Sequence, residues 1–350
     1  MIPYMLITAG PVALSLLYRN INNDNRKKRS FLIFCGLALF LFMGLRSRFL
    51  GSGDTQGYFG MMKSAIASGS WSEYYDEDGV EVGFQFFTYI LSRLFDDAQA
   101  LIIVTAAIYS FSICHFIYYN SKDVAFSTVA YITLGLMTFE MQGMRQSIAM
   151  SICLLSYELV KRKKFVPFVL AVLFAMLFHR TAIVFLVVYF ISKLSYNWKN
   201  IAIMVVASAV VMFFADDLVA YANEIFDSSY VNGFESGGVV ATAIYFLIII
   251  FAIIFHKELG KDKNEATMFY VLMIGAVCYV MRYIGTTVAE RISFYFAFAQ
   301  LTVLPNSLEY LKPREKKAIK VIVYVLMAGL FAYRLVTSAD FLPYEFYWND

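Results

Sequence analysis

The chain has 350 residues, of which 60% are hydrophobic and only 16% are charged, and its formal net charge is +3. A soluble domain carries about a quarter of charged residues, so this composition excludes a large soluble domain and indicates a polytopic membrane protein. We expect one all-α integral membrane domain over residues 1–350, and no nucleic-acid partner.

The chain begins with two apolar segments separated by a basic loop. The first predicted span covers about residues 1–19, and the second covers about residues 31–46. The loop between them contains the basic run RKKR at 26–29. By the positive-inside rule this loop is cytoplasmic, which places the N-terminus outside.

The longest segment that is not plainly a membrane span is the predicted outer loop 47–97, which is rich in Gly, Ser and Asp. The helical stretches near 57–67 and 83–95 are too short to cross, and we expect them to lie in the outer interface. A full crossing by the second stretch would put the basic run 161–164 outside, which the positive-inside rule disfavours.

The remaining apolar segments then alternate across the membrane. They include 165–194, which we interpret as a hairpin of two short helices whose tip carries His179 and Arg180 and points outward. They also include an outer loop, 216–238, with five acids and no lysine or arginine. We expect about twelve transmembrane helices in total, with both termini outside. The other spans are predicted near 98–119, 124–140, 143–160, 199–215, 239–255, 267–285, 288–306 and 319–337.

The basic residues are unevenly distributed in this topology. The inner side holds 20 of the 29, and 15 of those 20 are lysines, whereas the outer side holds eight arginines and Lys63. Topology does not depend on which cation is used, but a planar guanidinium can bind phosphate or carboxylate through two hydrogen bonds. The arginines therefore predict an anionic ligand at the outer leaflet. The residues expected to bind this anion are Arg46, Arg48, Arg145, Arg180, Arg282 and Arg291.

Structural roles remain open for several of these residues. Arg46 and Arg48 close the second span, where arginine side chains ordinarily extend to the lipid headgroups. Arg145 lies close in sequence to Glu140 and Gln142, so it forms either an ion pair with Glu140 or part of an anion site. The polar residues expected to support the arginines are Glu140, Gln142 and Glu290.

Three side chains are candidates for acid–base chemistry. Asp54, in GSGDTQGY, follows two glycines and precedes a helical pattern, so it is either a helix N-cap or a general base. His179 interrupts an apolar run beside Arg180, which favours a functional histidine over a core one. Glu81 is the second carboxylate of the outer loop, and is either solvated or catalytic.

The sequence contains no nucleotide-binding loop, no zinc-ligand spacing and no Ser-His-Asp pattern. We therefore expect neither a metal nor a cofactor, and the sequence gives no support for a nucleotide-sugar donor in the cytoplasm. The four cysteines lie inside apolar runs without CxxC spacing and are expected to be small core residues.

The chain resembles the EpsG family of exopolysaccharide polymerases, which belongs with the Wzy-type O-antigen and capsule polymerases. The resemblance rests on GLRSRFLGSGDTQGY, EVGFQFF, GMRQSIAMSI, FHRTAIVFL and PYEFYW, in an order that covers nearly the whole chain. It implies a glycosyltransferase that joins oligosaccharide repeat units carried on undecaprenyl pyrophosphate, at the outer face of the bacterial cytoplasmic membrane. It also implies a fold similar to the lipid-sugar-dependent, GT-C-like glycosyltransferases. The implied partners are the lipid-linked donor and acceptor, the bilayer, and chain-length regulator and flippase proteins.

The resemblance also implies roles for the candidate residues in an inverting displacement. The arginines would hold the pyrophosphate and stabilise its charge as it leaves, and one acid or imidazole would take the acceptor proton. The alternative function is a lipid-linked oligosaccharide flippase or transporter, for which about twelve helices is a common number. A transporter would place its polar groups near the bilayer midplane, whereas here they gather at the outer face. The arginines implied are Arg145, Arg180 and Arg282 or Arg291, and the base is Asp54 or, failing that, His179 or Glu81.

Overall fold

Most predicted apolar segments contain a helix, but the predicted spans 124–140 and 288–306 are each divided into two helices. A computed structural model describes the chain except residues 19, 52, 78, 215–216, 218–220, 222–237, 285–286 and 339. The predicted outer loop 216–238 therefore lies almost entirely outside the described residues. The helices are α1 (Ile2–Leu17), α2 (Asn25–Gly44), α3 (Gly53–Ala67), α4 (Trp71–Tyr74), α5 (Val82–Leu94), α6 (Gln99–Asn120), α7 (Val124–Thr133), α8 (Leu136–Gln142), α9 (Met144–Lys161), α10 (Phe165–Met176), α11 (Val187–Ile191), α12 (Trp198–Phe213), α13 (Val239–Ile254), α14 (His256–Leu259), α15 (Lys263–Val280), α16 (Thr287–Ala297), α17 (Gln300–Leu308) and α18 (Pro313–Thr337). Short 3-10 helices lie at Ile21–Asn23, Arg180–Leu186, Met281–Ile284 and Tyr347–Asn349.

Acidic side chains satisfy free backbone N–H groups at the starts of several helices. Asp24 caps α2 by accepting hydrogen bonds from the N–H groups of Arg26 (2.9 Å) and Lys27 (3.2 Å). Asp123 and Asp262 cap α7 and α15 in the same way. Each of these caps involves residues two or three positions apart, so the starts of these helices follow from local sequence. All three caps lie in loops predicted to be cytoplasmic.

The helices pack into one bundle around a shared apolar core. Within it, α6 packs against α2 and α9, α9 packs against α10, and α15 packs against α13 and α16. The outward faces of the helices carry large exposed apolar side chains, such as Leu17, Phe213, Ile254 and Val325. Soluble proteins rarely expose large contiguous apolar surfaces, so these faces are suited to lipid.

Three helices of the described chain are long and apolar enough to cross a membrane, namely α6, Lys263–Tyr283 and α18. The pair α7 and α8 makes a fourth if it is taken as one span, although the two helices are bent by 50°. Further apolar helices of 10–17 residues include α1, α10, α12 and α13. The chain is thus an all-α multi-pass membrane protein, and the expected twelve crossings stay a prediction.

The predicted outer loop folds largely into α3, α4 and α5. With 13 residues, α5 is about 20 Å long, shorter than the roughly 30 Å hydrocarbon core of a bilayer. It buries Phe84 and Leu91 against the bundle and exposes Val82, Phe86 and Ile90, which are spaced four residues apart. A short helix with an exposed apolar stripe suits the membrane interface, and the interfacial position stays a prediction.

The C-terminal tail packs against the start of the outer loop. The N–H of Ser47 donates to the carbonyl of Glu345 at 2.9 Å, and the N–H of Gly51 donates to the carbonyl of Asp340 at 2.8 Å. These hydrogen bonds place the tail and the outer loop at the same end of the bundle. The predicted topology requires that arrangement.

Candidate active site

Three segments meet at the carboxylate of Glu81. One carboxylate oxygen pairs with the guanidinium of Arg145, and the other lies 3.1 Å from Nδ1 of His179. The second oxygen also accepts a hydrogen bond from the N–H of Arg180 at 3.1 Å. Arg145 in turn donates to the hydroxyl of Tyr58 at 3.3 Å. Arg145 and His179 are 64 and 98 residues from Glu81 in sequence, so the tertiary fold assembles this cluster.

Backbone contact between α5 and the end of α10 brings His179 to Glu81. Glu81 stands at the N-cap position of α5 but makes no capping hydrogen bond with its side chain. The N–H of Gly83 donates to the carbonyl of Leu177 at 2.8 Å. The apolar hairpin breaks just after Leu177, as the HRT sequence predicts, and the break directs the imidazole of His179 to α5.

Glu81 is ionised and His179 is neutral near neutral pH. Burial favours a higher pKa for Glu81, but the hydrogen bond from His179 and the charge of Arg145 outweigh it and lower the pKa to about 2. Burial lowers the pKa of His179 below its usual value, and the charges of Arg145 and Arg291 add to this effect against the opposing carboxylate of Glu81. An ionised carboxylate only accepts hydrogen bonds, so Nδ1 of His179 carries the hydrogen and Nε2 carries the lone pair.

The Nε2 atom of His179 is buried and has no hydrogen-bond partner within the described residues. Buried polar atoms are normally paired, so this atom is a candidate contact for a ligand. A neutral imidazole oriented by a carboxylate can take a proton from a hydroxyl group.

A second set of charged residues lines a cavity of about 610 Å³ at the break between α7 and α8. In the described chain its charged lining consists of Arg282, Arg291, Arg334 and Glu290, a formal charge of +2. Arg282 pairs with Glu290 at 2.7 Å. Arginines within a membrane bundle are costly unless they are paired or used, so the excess positive charge indicates an anionic ligand.

Arg291 joins the cavity to the Glu81 cluster. Its guanidinium lies 3.8 Å from the carboxylate of Asp54, which is in the first turn of α3 and whose side chain is 52% exposed. The carbonyl of Arg291 accepts a hydrogen bond from Gln146, the neighbour of Arg145. Arg291 thus links the cavity to the cluster, although Glu81, Arg145 and His179 do not themselves line the cavity. In the described part of the chain, no group of three or more His, Cys, Asp and Glu side chains could hold a metal.

Comparison with known proteins identifies the family. The EpsG family model matches residues 31–346, which include both the cluster and the cavity. The chain belongs to the EpsG family. This membership confirms the resemblance seen in the sequence motifs. No significant match was found among curated proteins or solved structures.

Arg334 is the residue of this EpsG-family site that the sequence did not single out. Its guanidinium lies against Gly135 at the break between α7 and α8, where a Cβ atom would be 3.0 Å from Nη1. The φ of Gly135 is 100°, in the left-handed region that favours glycine. Within the described residues the Arg334 side chain forms no ion pair or hydrogen bond. The available signal was an arginine near the end of an apolar helix, on the side already rich in arginine.

Two predicted phosphate ligands lie away from this cavity. Arg46 is buried, and its guanidinium donates to the carbonyls of Met43 and Met141. Arg48 pairs with the carboxylate of Asp350 at 3.8 Å. The C-terminal tail covers the turn that follows α2, so neither side chain reaches the cavity. We therefore interpret both arginines as structural.

The ion pair between Arg145 and Glu140, one of the two alternatives that the sequence left open, does not form. Glu140 is buried in α8 and accepts a hydrogen bond from the hydroxyl of Tyr131. Arg145 pairs with Glu81 instead. Glu140 thus lies in the core of the bundle and does not line the cavity.

The remaining predicted residues lie in or near the site. Gln142 and Glu290 both line the cavity. Arg180 contacts the cluster only through its backbone N–H, and its side chain is exposed. Its guanidinium therefore remains a candidate for a ligand at the surface of the site.

Substituting Gly83 by alanine is expected to destabilise the protein. A Cβ atom at this position would lie 2.5 Å from the carbonyl oxygen of Leu177 and 2.6 Å from its Cβ, so α5 and α10 must separate. Overpacking of this kind costs about 1–3 kcal/mol. Thermal unfolding in detergent measures the effect. Gly57→Ala is the matched control, because a Cβ atom added there would meet no other atom within 4 Å, and it should leave the unfolding temperature unchanged or raise it.

Proposed function

We propose that this EpsG-family protein is a polysaccharide polymerase, a glycosyltransferase that joins oligosaccharide repeat units carried on undecaprenyl pyrophosphate. The observation that carries the proposal is the cavity lined by Arg282, Arg291 and Arg334, which Arg291 links to the hydrogen-bonded pair of His179 and Glu81. A donor that carries a diphosphate requires cationic groups such as these arginines, and an acceptor hydroxyl requires a base such as this histidine. No metal is needed, because a lipid pyrophosphate is already a good leaving group.

The arginines bind the pyrophosphate of the growing chain and stabilise it as it leaves. Charge develops on the phosphate oxygens when the glycosidic bond to the anomeric carbon breaks. Fixed cations in a site shielded from water stabilise such charge strongly. Arg334 supplies a guanidinium that forms no ion pair in the described chain, while Arg282 and Arg291 pair with Glu290 and Asp54.

His179 is the base in this proposal. Its Nε2 takes the proton from the acceptor hydroxyl as the oxygen attacks the anomeric carbon, and the lipid pyrophosphate leaves from the opposite face. The anomeric configuration is therefore inverted. Glu81 is a poor base, because three donors already engage its carboxylate and its pKa is about 2. Asp54, more exposed, positions Arg291 or the acceptor.

The site operates at the outer face of the bacterial cytoplasmic membrane, where lipid-linked repeat units are polymerised into exopolysaccharide, capsule or O-antigen. The proposed topology has about twelve crossings, with both termini outside and α3 and α5 in the outer interface. It resembles the GT-C-like glycosyltransferases that use lipid-linked sugars. A flippase that supplies the repeat units and a chain-length regulator are the proposed protein partners.

A reconstituted reaction tests this proposal. Purified protein in proteoliposomes receives undecaprenyl-pyrophosphate-linked repeat units, and the products are separated by gel electrophoresis. A polymerase produces a ladder of longer glycans and releases undecaprenyl pyrophosphate. The alternative, a lipid-linked oligosaccharide flippase, would move the substrate across the bilayer without lengthening it. That result would reject the polymerase assignment.

Activity should fall at acid pH as His179 becomes protonated. Its pKa lies below the usual 6.5, so the acid limb of kcat/KM is expected below that pH. Glu81→Gln removes the carboxylate that raises the pKa of His179, so the limb should move to still lower pH while the maximum rate falls. The pH profile of initial rates measures both effects. Glu77→Gln, in the same loop, is the control and should keep the wild-type profile. A limb that moves to higher pH in Glu81→Gln would contradict the assignment.

A further inference from the structure

A second cavity lies at the other end of the bundle and is lined by lysines. Its volume is about 530 Å³, and its charged lining consists of Lys161, Lys163, Lys193, Lys263 and Asp262. Lys161 is the last residue of α9 and Arg145 is the second, so these two residues are about 24 Å apart at 1.5 Å per residue. The lysine cavity is therefore separate from the arginine cavity.

The acids near this cavity do not neutralise it. Lys161 pairs with Glu158 at 2.6 Å. The carboxylate of Asp262 is already used as the N-cap of α15. Within the described residues, Lys163, Lys193 and Lys263 form no ion pair. They come from separate segments, are exposed and line the same cavity, and the Nζ of Lys193 lies over the ring of Tyr189, 4.8 Å from its centroid.

The backbone at Lys163 adopts a conformation that glycine would adopt at lower cost. Its φ is 56°, in the left-handed region at the end of α9, where helices commonly end on glycine. Hydrogen bonds from the N–H of Lys163 to Val160 (2.9 Å) and from Lys164 to Leu159 (2.8 Å) close the turn. The hydroxyl of Tyr189 donates to the carbonyl of Lys163 at 3.2 Å. The turn thus holds a lysine where glycine would be less strained, and such strain points to a use for the side chain.

Lys263 is also at an electrostatically unfavourable position. It is the first residue of α15, and helix N-termini favour anions over cations. Its Nζ atom donates to the carbonyl of Lys193 at 3.2 Å, which holds the two lysine-bearing segments together. Membrane topology would be satisfied by lysines anywhere in these loops, so it does not account for their convergence.

We propose that this cavity binds a phosphate-bearing anion at the cytoplasmic end of the protein. Lysine is a common phosphate ligand, and one multivalent anion would convert the repulsion among Lys163, Lys193 and Lys263 into attraction. The phosphate could belong to a lipid headgroup or to a soluble molecule, since both present the same chemistry.

Two probes distinguish these sources. Full-length protein in an uncharged detergent is titrated with dioctanoyl phosphatidic acid and, separately, with inorganic pyrophosphate, and binding is measured by calorimetry. Binding of the lipid alone assigns a headgroup site, and binding of pyrophosphate alone assigns a soluble ligand. The Arg334→Gln protein is titrated in parallel, so that binding in the arginine cavity is recognised. Failure of both probes to bind would overturn the proposal.

Substitutions at neighbouring lysines test the location. Lys163→Gln and Lys193→Gln should each weaken binding about tenfold or more, as expected for one lost charge-assisted hydrogen bond. Lys164→Gln removes the same charge one residue away, outside the lining, and should have little effect. Lys163→Gly should weaken binding equally while raising the unfolding temperature of the anion-free protein, because it relieves the backbone strain. Equal effects of Lys163→Gln and Lys164→Gln would show nonspecific attraction and reject the site.

Discussion

Replacing His179 by asparagine is expected to lower the rate of polymer elongation by about 10²- to 10⁴-fold. The side-chain amide nitrogen of asparagine stands near the position of Nδ1, so it can still donate to Glu81. The lone pair of Nε2 is lost. The substitution therefore removes the proposed base while it retains the contact that orders the turn. Initial rates of ladder formation in proteoliposomes measure the loss.

Two controls make this result specific. His115→Asn changes a histidine of α6 that stacks near Tyr119, with ring centroids 4.8 Å apart, and that is remote from the Glu81 cluster. It should keep the wild-type rate. Asp54→Asn tests the other candidate base. If Asp54→Asn abolished elongation while His179→Asn stayed active, the base would be Asp54 and our assignment would be wrong.

Replacing Arg334 by glutamine is expected to lower kcat/KM by about 10²- to 10³-fold, the usual effect of losing one donor that stabilises transition-state charge. Arg334 lines the cavity at the Gly135 break and has no ion-pair partner in the described chain. Its guanidinium is therefore free to bind the departing pyrophosphate. Arg334→Lys keeps the charge but loses the two-pronged geometry, so its rate should fall between those of the wild type and the glutamine variant.

Stability measurements separate this role from a structural one. A largely buried cation without a partner costs free energy of folding, so Arg334→Gln should leave the unfolding temperature unchanged or raise it. Arg48→Gln is the matched control, since Arg48 lies at the same end of the bundle but outside the cavity. It should retain activity. Full activity in Arg334→Gln, or equal losses in both variants, would remove the basis for the anion site.

Much of the architecture was predictable because its causes are local. The apolar spans, the caps at Asp24, Asp123 and Asp262, and the break at His179 each depend on residues close together in sequence. The excess of arginine over lysine at one end was likewise visible in the sequence, and it indicated an anionic ligand before any geometry was known.

The partners of the charged residues depend on tertiary structure. Sequence proximity offered Glu140 as one possible partner of Arg145, but the partner is Glu81, which is 64 residues away. Similarly, Arg46 and Arg334 both stand at the ends of apolar helices, yet the first binds backbone carbonyls and the second lines the cavity.

The sequence by itself determined that the chain is an all-α membrane protein, because the apolar segments and the capping residues that form its helices act over a few residues. Only the tertiary structure decided which arginines face a common cavity and which carboxylate orients His179. Those outcomes depend on how each helix is rotated and shifted against its neighbours. Packing between distant segments sets that rotation, and no local pattern records it.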